Sequence, residues 1–412
     1  MVCLRTLIPV ANILFALSSG RSPIVIVPGL GGSVLKAWLH DRPRTRDCAT
    51  ESDVYTLFVQ EKQLTRYQCF VENFALHPDP LADDSVVNSS GVHVFPQPGL
   101  DGIEYSNYGS GDLLPMPYML ELTKSLMAHG YSRDMSLRAA TYDFRVAGAP
   151  RQTQQQFAHL KAFIEKASRD NSAKPVHLLS HSLGGPVTNQ FLILQSPVWK
   201  KQYIASHIML SAPLLGTPVA LQSLISGPMY DFVPQVLPSL LTPVLRTLPS
   251  MLWMFPREPA NSDRIVWSSL PPFIQTPNAN ISTDNTEKLL SMLDATMLSK
   301  LQPFVNTIVA NSMDDPGVKV LCMFANDTAT NMNVQYSSDH FKGGKVVDKG
   351  LGDGTVPLQS LRWCSEWADT TMREFEFGGA LSSHTDIVKK SEIISAVISW
   401  VTQRVDELPL LV

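Results

Sequence analysis

The chain has 412 residues, 44% of them hydrophobic and only 17% charged, with a formal net charge of -4. That is ample material for a large core, either in two or three domains or in one α/β enzyme with insertions. The charges are dispersed without a basic stripe, which argues against nucleic acid as a partner, and no internal repeat or low-complexity tract points to a solenoid or a disordered scaffold.

In chain order, Arg5 precedes an apolar run from Leu7 to Leu17, with Ala16 and Ser18 at a small-residue cleavage pattern. Residues 1–20 therefore read as a secretory signal, too short for a stable membrane anchor; the alternative is a buried first strand or helix. No later run has the length of a transmembrane helix. Ile24–Val27 reads as a buried strand stopping at Pro28-Gly29. Residues 33–80 lose regular period. Arg138–Phe144 is a candidate strand, and Gln152–Lys166 carries Phe157, Leu160, Phe163 and Ile164 at helical spacing. Val176–Leu179 then reads as strand, Leu183–Leu194 as helix and His207–Ser211 as strand. This alternation predicts a parallel α/β sheet. Residues 213–304 are rich in Pro, Leu, Ser and Met, show no convincing strand and read as a cap inserted between sheet strands. The rhythm returns with Val318–Phe324, Glu374–Phe377 and a helix over Ser391–Arg404. The expected organisation is a core built from residues 21–32, 81–212 and 305–412, interrupted by a lid region at 33–80 and a cap at 213–304.

Four cysteines remain once Cys3 is assigned to the signal: Cys48, Cys69, Cys322 and Cys364. They allow three connectivities, of which the sequence-local one is Cys48–Cys69 with Cys322–Cys364. The absence of a C-x-x-C argues against zinc and thioredoxin-type sites. Sequons at Asn88, Asn280 and Asn326 agree with export, although a chain of this length holds a few by chance.

The stretch Ser180-His181-Ser182-Leu183-Gly184 joins a predicted strand to a predicted helix. It matches the nucleophile elbow G-x-S-x-G, with serine for the first glycine; the tight turn presents the central hydroxyl above the sheet. The plainer reading of Ser182 is a helix cap. A serine hydroxyl needs a base to take its proton, and in this fold the order along the chain is Ser, acid, His. His340 and His384 lie well downstream. His384, in SSHTDI between a predicted strand and the last helix, is the expected base, whereas His340 reads as a loop residue. Asp353, between glycines in GLGDGTVP, is the expected acid; Asp327, Asp339 and Asp348 read as surface or turn residues. The developing oxyanion needs two backbone N–H groups. Leu183 follows the nucleophile, and Leu30 lies in the VPGLGGS loop after the first strand. That loop lacks the lysine and spacing of a phosphate-binding P-loop. No metal and no cofactor is called for.

Those residues, with PIVIVPGLGGSVL, GYSRDMSLRAATYDFR, KPVHLLSHSLGG, WKKQYI, WMFP, GDGTVPLQSL and SHTDI, resemble the lecithin:cholesterol acyltransferase family, including its lysosomal phospholipase and plant branches. The resemblance covers nearly all of the mature chain. It implies an α/β-hydrolase fold with an inserted cap and a disulfide-closed lid loop, and a triad at Ser182, Asp353 and His384. It also implies bridges Cys48–Cys69, closing the lid, and Cys322–Cys364, with glycans at Asn88 and Asn280. Two departures stand out. APLLGTP at 212–218 replaces the family's APWGG, and Leu30 stands where lysosomal members carry an acidic residue. The expected function is a secreted or lysosomal serine phospholipase A/O-acyltransferase working at a phospholipid membrane or lipoprotein surface. Water, a lysolipid or a sterol would accept the acyl group. A neutral-lipid lipase or carboxylesterase and a non-catalytic lipid-binding protein are the rival readings.

Overall fold

A computed structural model describes residues 21–45, 48–57, 66–107, 116–227, 238–260, 263–378 and 384–402. The signal expected at 1–20 lies outside the described residues, as does the middle of the expected lid, residues 58–65.

Six strands form the central sheet: β1 (Ile24–Val27), β2 (Leu137–Ala139), β3 (Val176–His181), β4 (Ile204–Leu210), β5 (Val320–Ala325) and β6 (Thr370–Phe375). Their order is β6-β5-β4-β3-β1-β2 and every pairing is parallel. Successive side chains on a strand point to opposite faces. Val25, Leu178, Met209 and Cys322 accordingly pack on one face, and Ile24, Ile26, Leu179, Ile208 and Leu321 on the other. Both faces are apolar because both are covered by helices, as parallel sheets require. The helices that do this are α1 (Leu120–Ala128), α2 (Pro150–Asp170), α3 (Gly184–Ile193) and α4 (Ser391–Val401). Phe157, Ile164 and Phe191 of α2 and α3 cover the first face; Leu122 of α1 and Val397 and Trp400 of α4 cover the second.

Three regions differ from the sequence expectation. The strand expected over 138–144 ends at Ala139. There the Asp143 side chain accepts the Arg145 N–H at 3.1 Å and turns the chain into a short 3-10 helix, Phe144–Val146. Residues 33–80 are not irregular. Leu35–Leu39 pairs antiparallel with Ser52–Thr56 and with Val92–Pro96, and the helix Tyr67–Phe74 follows. The Cys48–Cys69 bridge ties this sheet to that helix. The second bridge, Cys322–Cys364, anchors β5 to the segment after the Asp353 loop.

The cap region holds helices Pro218–Ser226, Pro238–Leu245, Pro249–Trp253, Thr286–Met292 and Thr296–Val309. Three of these begin at proline, whose fixed φ and missing N–H suit the first helical position. The region also holds strands, contrary to expectation: Ile274–Thr276 and Ala279–Ile281 form a hairpin. Ile274–Thr276 pairs with Thr328–Gln335, which pairs with Lys345–Gly352, completing a four-stranded sheet. The strand Thr328–Gln335, assigned above to the core, thus hydrogen-bonds to a strand of the expected cap, and Lys345–Gly352 extends that sheet.

Candidate active site

The elbow is built by β3 running into α3. Ser182 sits at φ 52°, in the left-handed region that costs a side-chain-bearing residue of order 1 kcal/mol or more. The turn is held by the Ser182 N–H donating to Leu210 O (3.0 Å) and the Gly185 N–H donating to Ser182 O (2.8 Å). A Cβ at Gly184 would lie 2.5 Å from Val27 O and 2.6 Å from Pro28 O, so only glycine lets α3 start this close to β1. Ser180, at the first glycine of the motif, points into the interior, 2.8 Å from His207 Nε2.

His384 and Asp353 converge on Ser182 from the C-terminal half of the chain. His384 Nε2 is 2.7 Å from Ser182 Oγ, and His384 Nδ1 is 2.8 Å from Asp353 Oδ2. The carboxylate oxygen can only accept, so Nδ1 carries the imidazole proton and Nε2 faces the hydroxyl as an acceptor. The other carboxylate oxygen, Oδ1, accepts the N–H groups of Thr355 (3.0 Å) and Val356 (2.7 Å). Asp353 is thereby fixed by its own loop and fully buried. His340 is exposed, and Asp327 and Asp339 are occupied by turn contacts to Phe377 and Gly378, and to Thr276 and Asn278.

Leu30 and Ser182 line one pocket together with His384, Thr217, Met254 and Lys389. Among the described residues, the N–H groups of Leu30 and Leu183 donate to no backbone carbonyl. The APLLGTP stretch forms one wall. Thr217 Oγ1 donates to Thr355 O (2.5 Å) and the Thr217 N–H to Met254 O (2.8 Å), linking the Asp353 loop to the WMFP stretch. The YDFR stretch is a clamp behind the site. Tyr142 Oη donates to Pro28 O (3.0 Å). The buried Arg145 pairs with Asp143 (2.7 Å) and donates to Phe74 O and Asn88 Oδ1, both at 2.8 Å.

Two further side chains at the site were not singled out from sequence. His181 Nε2 lies 2.9 Å from His384 O, and its Nδ1 lies 2.7 Å from Tyr118 Oη, which in turn accepts the Gly29 N–H at 3.2 Å. Burial pushes His181 down to about 3 and Tyr118 well above the usual phenol range, so both side chains are neutral near neutral pH. Periodicity gave no signal for either; His181 was legible only as a neighbour of Ser182.

Of the sequon residues, Asn280 is exposed and Asn88 is half-buried. Asn326 Nδ2, the atom a glycan would take, instead donates to Glu374 Oε2 at 2.8 Å.

A parallel sheet with a serine at a strained strand–helix turn, and a histidine and a buried aspartate arriving later in the chain, defines an α/β hydrolase. The chain belongs to the lecithin:cholesterol acyltransferase family, whose model matches residues 58–321. It is 27% identical to lecithin-cholesterol acyltransferase-like 1 of Arabidopsis thaliana, over 98% of this chain and 94% of that one. It is 27% identical to the lysosomal phospholipase A and acyltransferase of Bos taurus, covering 87% of this chain and 86% of the relative. To the phosphatidylcholine-sterol acyltransferase of Gallus gallus it is 28% identical, over 85% and 83% of the two chains.

Proposed function

We propose that the protein is a serine phospholipase A/O-acyltransferase that cleaves an acyl ester of glycerophospholipids. The observation that carries this reading is the unbroken line Ser182–His384–Asp353, at 2.7 and 2.8 Å, opening onto a pocket beside Leu30. In this reading His384 Nε2 takes the Ser182 proton as Oγ attacks the ester carbonyl. The carbonyl oxygen gains charge against the N–H groups of Leu30 and Leu183. The C–O bond then breaks, His384 returns the proton to the departing alcohol, and an acyl-Ser182 ester remains. Water or an acceptor alcohol, such as a lysolipid or sterol, releases the acyl group by the reverse steps. The relatives' names, a lysosomal phospholipase A and acyltransferase and a phosphatidylcholine-sterol acyltransferase, support phospholipid as the donor.

The lid at 33–80 and the cap at 213–304 belong to this reading as lipid-facing parts. Val54 is exposed on the strand Ser52–Thr56, and Leu57, just after that strand, is buried in the core. The partner surface is a phospholipid membrane or lipoprotein, reached in a secreted or endomembrane-lumenal compartment. The signal-like residues 1–20 and the two disulfides support that location. Glycans are proposed at Asn280 and Asn88.

The test is incubation of purified protein with labelled phosphatidylcholine liposomes, with and without an alcohol acceptor, beside a Ser182→Ala variant. Free fatty acid alone identifies a hydrolase, and acyl-alcohol a transferase. The alanine variant is expected to lose several orders of magnitude of turnover. A folded variant that kept more than about a few per cent of turnover would refute the mechanism.

A further inference from the structure

Three loops meet at the pocket: the oxyanion loop at Gly29 and Leu30, the elbow at His181 and Ser182, and the segment carrying His384. Hydrogen bonds through two side chains connect them, and each bond has only one allowed direction. His384 O is a carbonyl and can only accept, so His181 Nε2 carries a proton and donates to it at 2.9 Å. A neutral imidazole has one N–H, so His181 Nδ1 is bare. Tyr118 Oη, 2.7 Å away, must therefore donate to it. The phenol oxygen is then free to accept the Gly29 N–H at 3.2 Å. The chain of donation runs Gly29, Tyr118, His181, His384 without a branch, and both side chains in it are buried.

The geometry points to Tyr118 and His181 as positioning residues for the reaction at Ser182: they lock the oxyanion loop to the main chain of the catalytic base, so that the base and the oxyanion donors keep one spacing through both half-reactions. This inference rests on the serine acyl-enzyme reading above.

The His181 ring is 5.1 Å from the His384 ring, and the titratable groups it faces are Tyr118, His384 and, behind it, Asp353. An extra proton on His181 would reverse its bond to Tyr118 and deprive the Tyr118 hydroxyl hydrogen of its acceptor. It would also set a cation beside the imidazolium that forms during catalysis. Burial and the neighbouring His384 both oppose that proton. Tyr118 Cε1 would be 2.8 Å from a Cβ at Gly32, so the oxyanion loop has room for the ring only because residue 32 is glycine.

The test uses the full-length protein and a soluble short-chain ester, comparing Tyr118→Phe, His181→Leu, His181→Gln and Tyr118→Phe/His181→Gln, with folding checked by near-UV circular dichroism. Tyr118→Phe and His181→Leu are each expected to lower kcat about 10- to 100-fold while KM stays within about twofold, as for misplaced rather than missing catalytic groups. Glutamine offers a donor toward His384 O and an acceptor toward Tyr118. His181→Gln is therefore expected to recover most of the rate lost in His181→Leu, and to lose that recovery when combined with Tyr118→Phe. Nitrogen-15 imidazole spectra of the wild type should show His181 as the neutral Nε2–H tautomer. Full kcat in Tyr118→Phe, glutamine no better than leucine at 181, or the Nδ1–H tautomer would each overturn the inference. The spectrum and the two position-181 variants decide it even if Tyr118→Phe does not fold. Turnover surviving in Ser182→Ala would instead overturn the underlying acyl-enzyme reading, so the two failures are distinguishable.

Discussion

Gly32 and Tyr118 share one space: a Cβ on the glycine would lie 2.8 Å from the tyrosine Cε1, 2.9 Å from Pro28 Cβ and 3.0 Å from Gly29 N. The last contact is to backbone and cannot be relieved by a rotamer change. Gly32→Ala is expected to cost about 1–3 kcal/mol of stability, the usual range for overpacking a tight site. It should also lower kcat, because Tyr118 must shift. Urea unfolding and ester hydrolysis of the single variant check both. Unchanged stability would mean that the loop has slack.

Acid should destabilise the fold through buried histidines. Burial holds His177 down to about 4 and His181 and His207 down to about 3, against an ordinary value of 6.5. Above pH 6.5 these rings are neutral in both folded and unfolded chains and contribute no slope. Below it the unfolded chain binds protons that the folded one refuses, so stability falls as pH drops, until the folded values are reached. Each ring adds up to about 1.4 kcal/mol per pH unit in that window. Asp170, held low by hydrogen bonds from Lys166 and Arg138, loses its contribution only at more acid pH. Unfolding measured from pH 7 to 5 therefore isolates the histidines. His207→Gln should flatten the slope by about one proton's worth whatever it does to the plateau.

Leu30 lines the pocket without a titrating side chain, and in the proposed mechanism its backbone N–H is an oxyanion donor. Leu30→Asp would set a carboxylate beside the oxyanion, tolerated only when protonated. The variant should lose activity at neutral pH and move its optimum toward acid. The wild type should lose activity in acid, because His384 must be neutral to accept the serine proton. Profiles of one soluble ester from about pH 4 to 9 compare the two proteins across the ranges in which a carboxyl and an imidazole titrate. An unshifted optimum in the aspartate variant would remove Leu30 from the oxyanion site.

The lid bridge should separate two substrates. Opening Cys48–Cys69 by double serine substitution is expected to cost roughly 3 kcal/mol in the chain-entropy view. Val54→Asp, at an exposed position of the lid strand, should leave the fold and the soluble ester untouched but reduce liposome hydrolysis. Equal losses on both substrates would make the lid a purely structural element.

Much of the candidate site's geometry was legible from residue type and chain order. A strand–serine–helix junction, a glycine-flanked aspartate and a late histidine singled out Ser182, Asp353 and His384, three side chains now seen within hydrogen-bond reach of one another. The central strands were equally legible, because runs such as IVIV at Ile24–Val27 are apolar on both faces wherever a parallel sheet is covered by helices. The cap hairpin was not, since strands of three residues, Ile274–Thr276 and Ala279–Ile281, are too short to establish an alternation.

Local sequence thus determined which groups are the candidates for the reaction, because an elbow needs its serine and its glycines within a few adjacent residues. Only the tertiary structure decided what holds those groups in place. Tyr118 meets His181 across 63 positions and His181 meets His384 across 203. A contact between residues so far apart leaves no periodic trace in either segment; it comes into being when three loops close over one pocket.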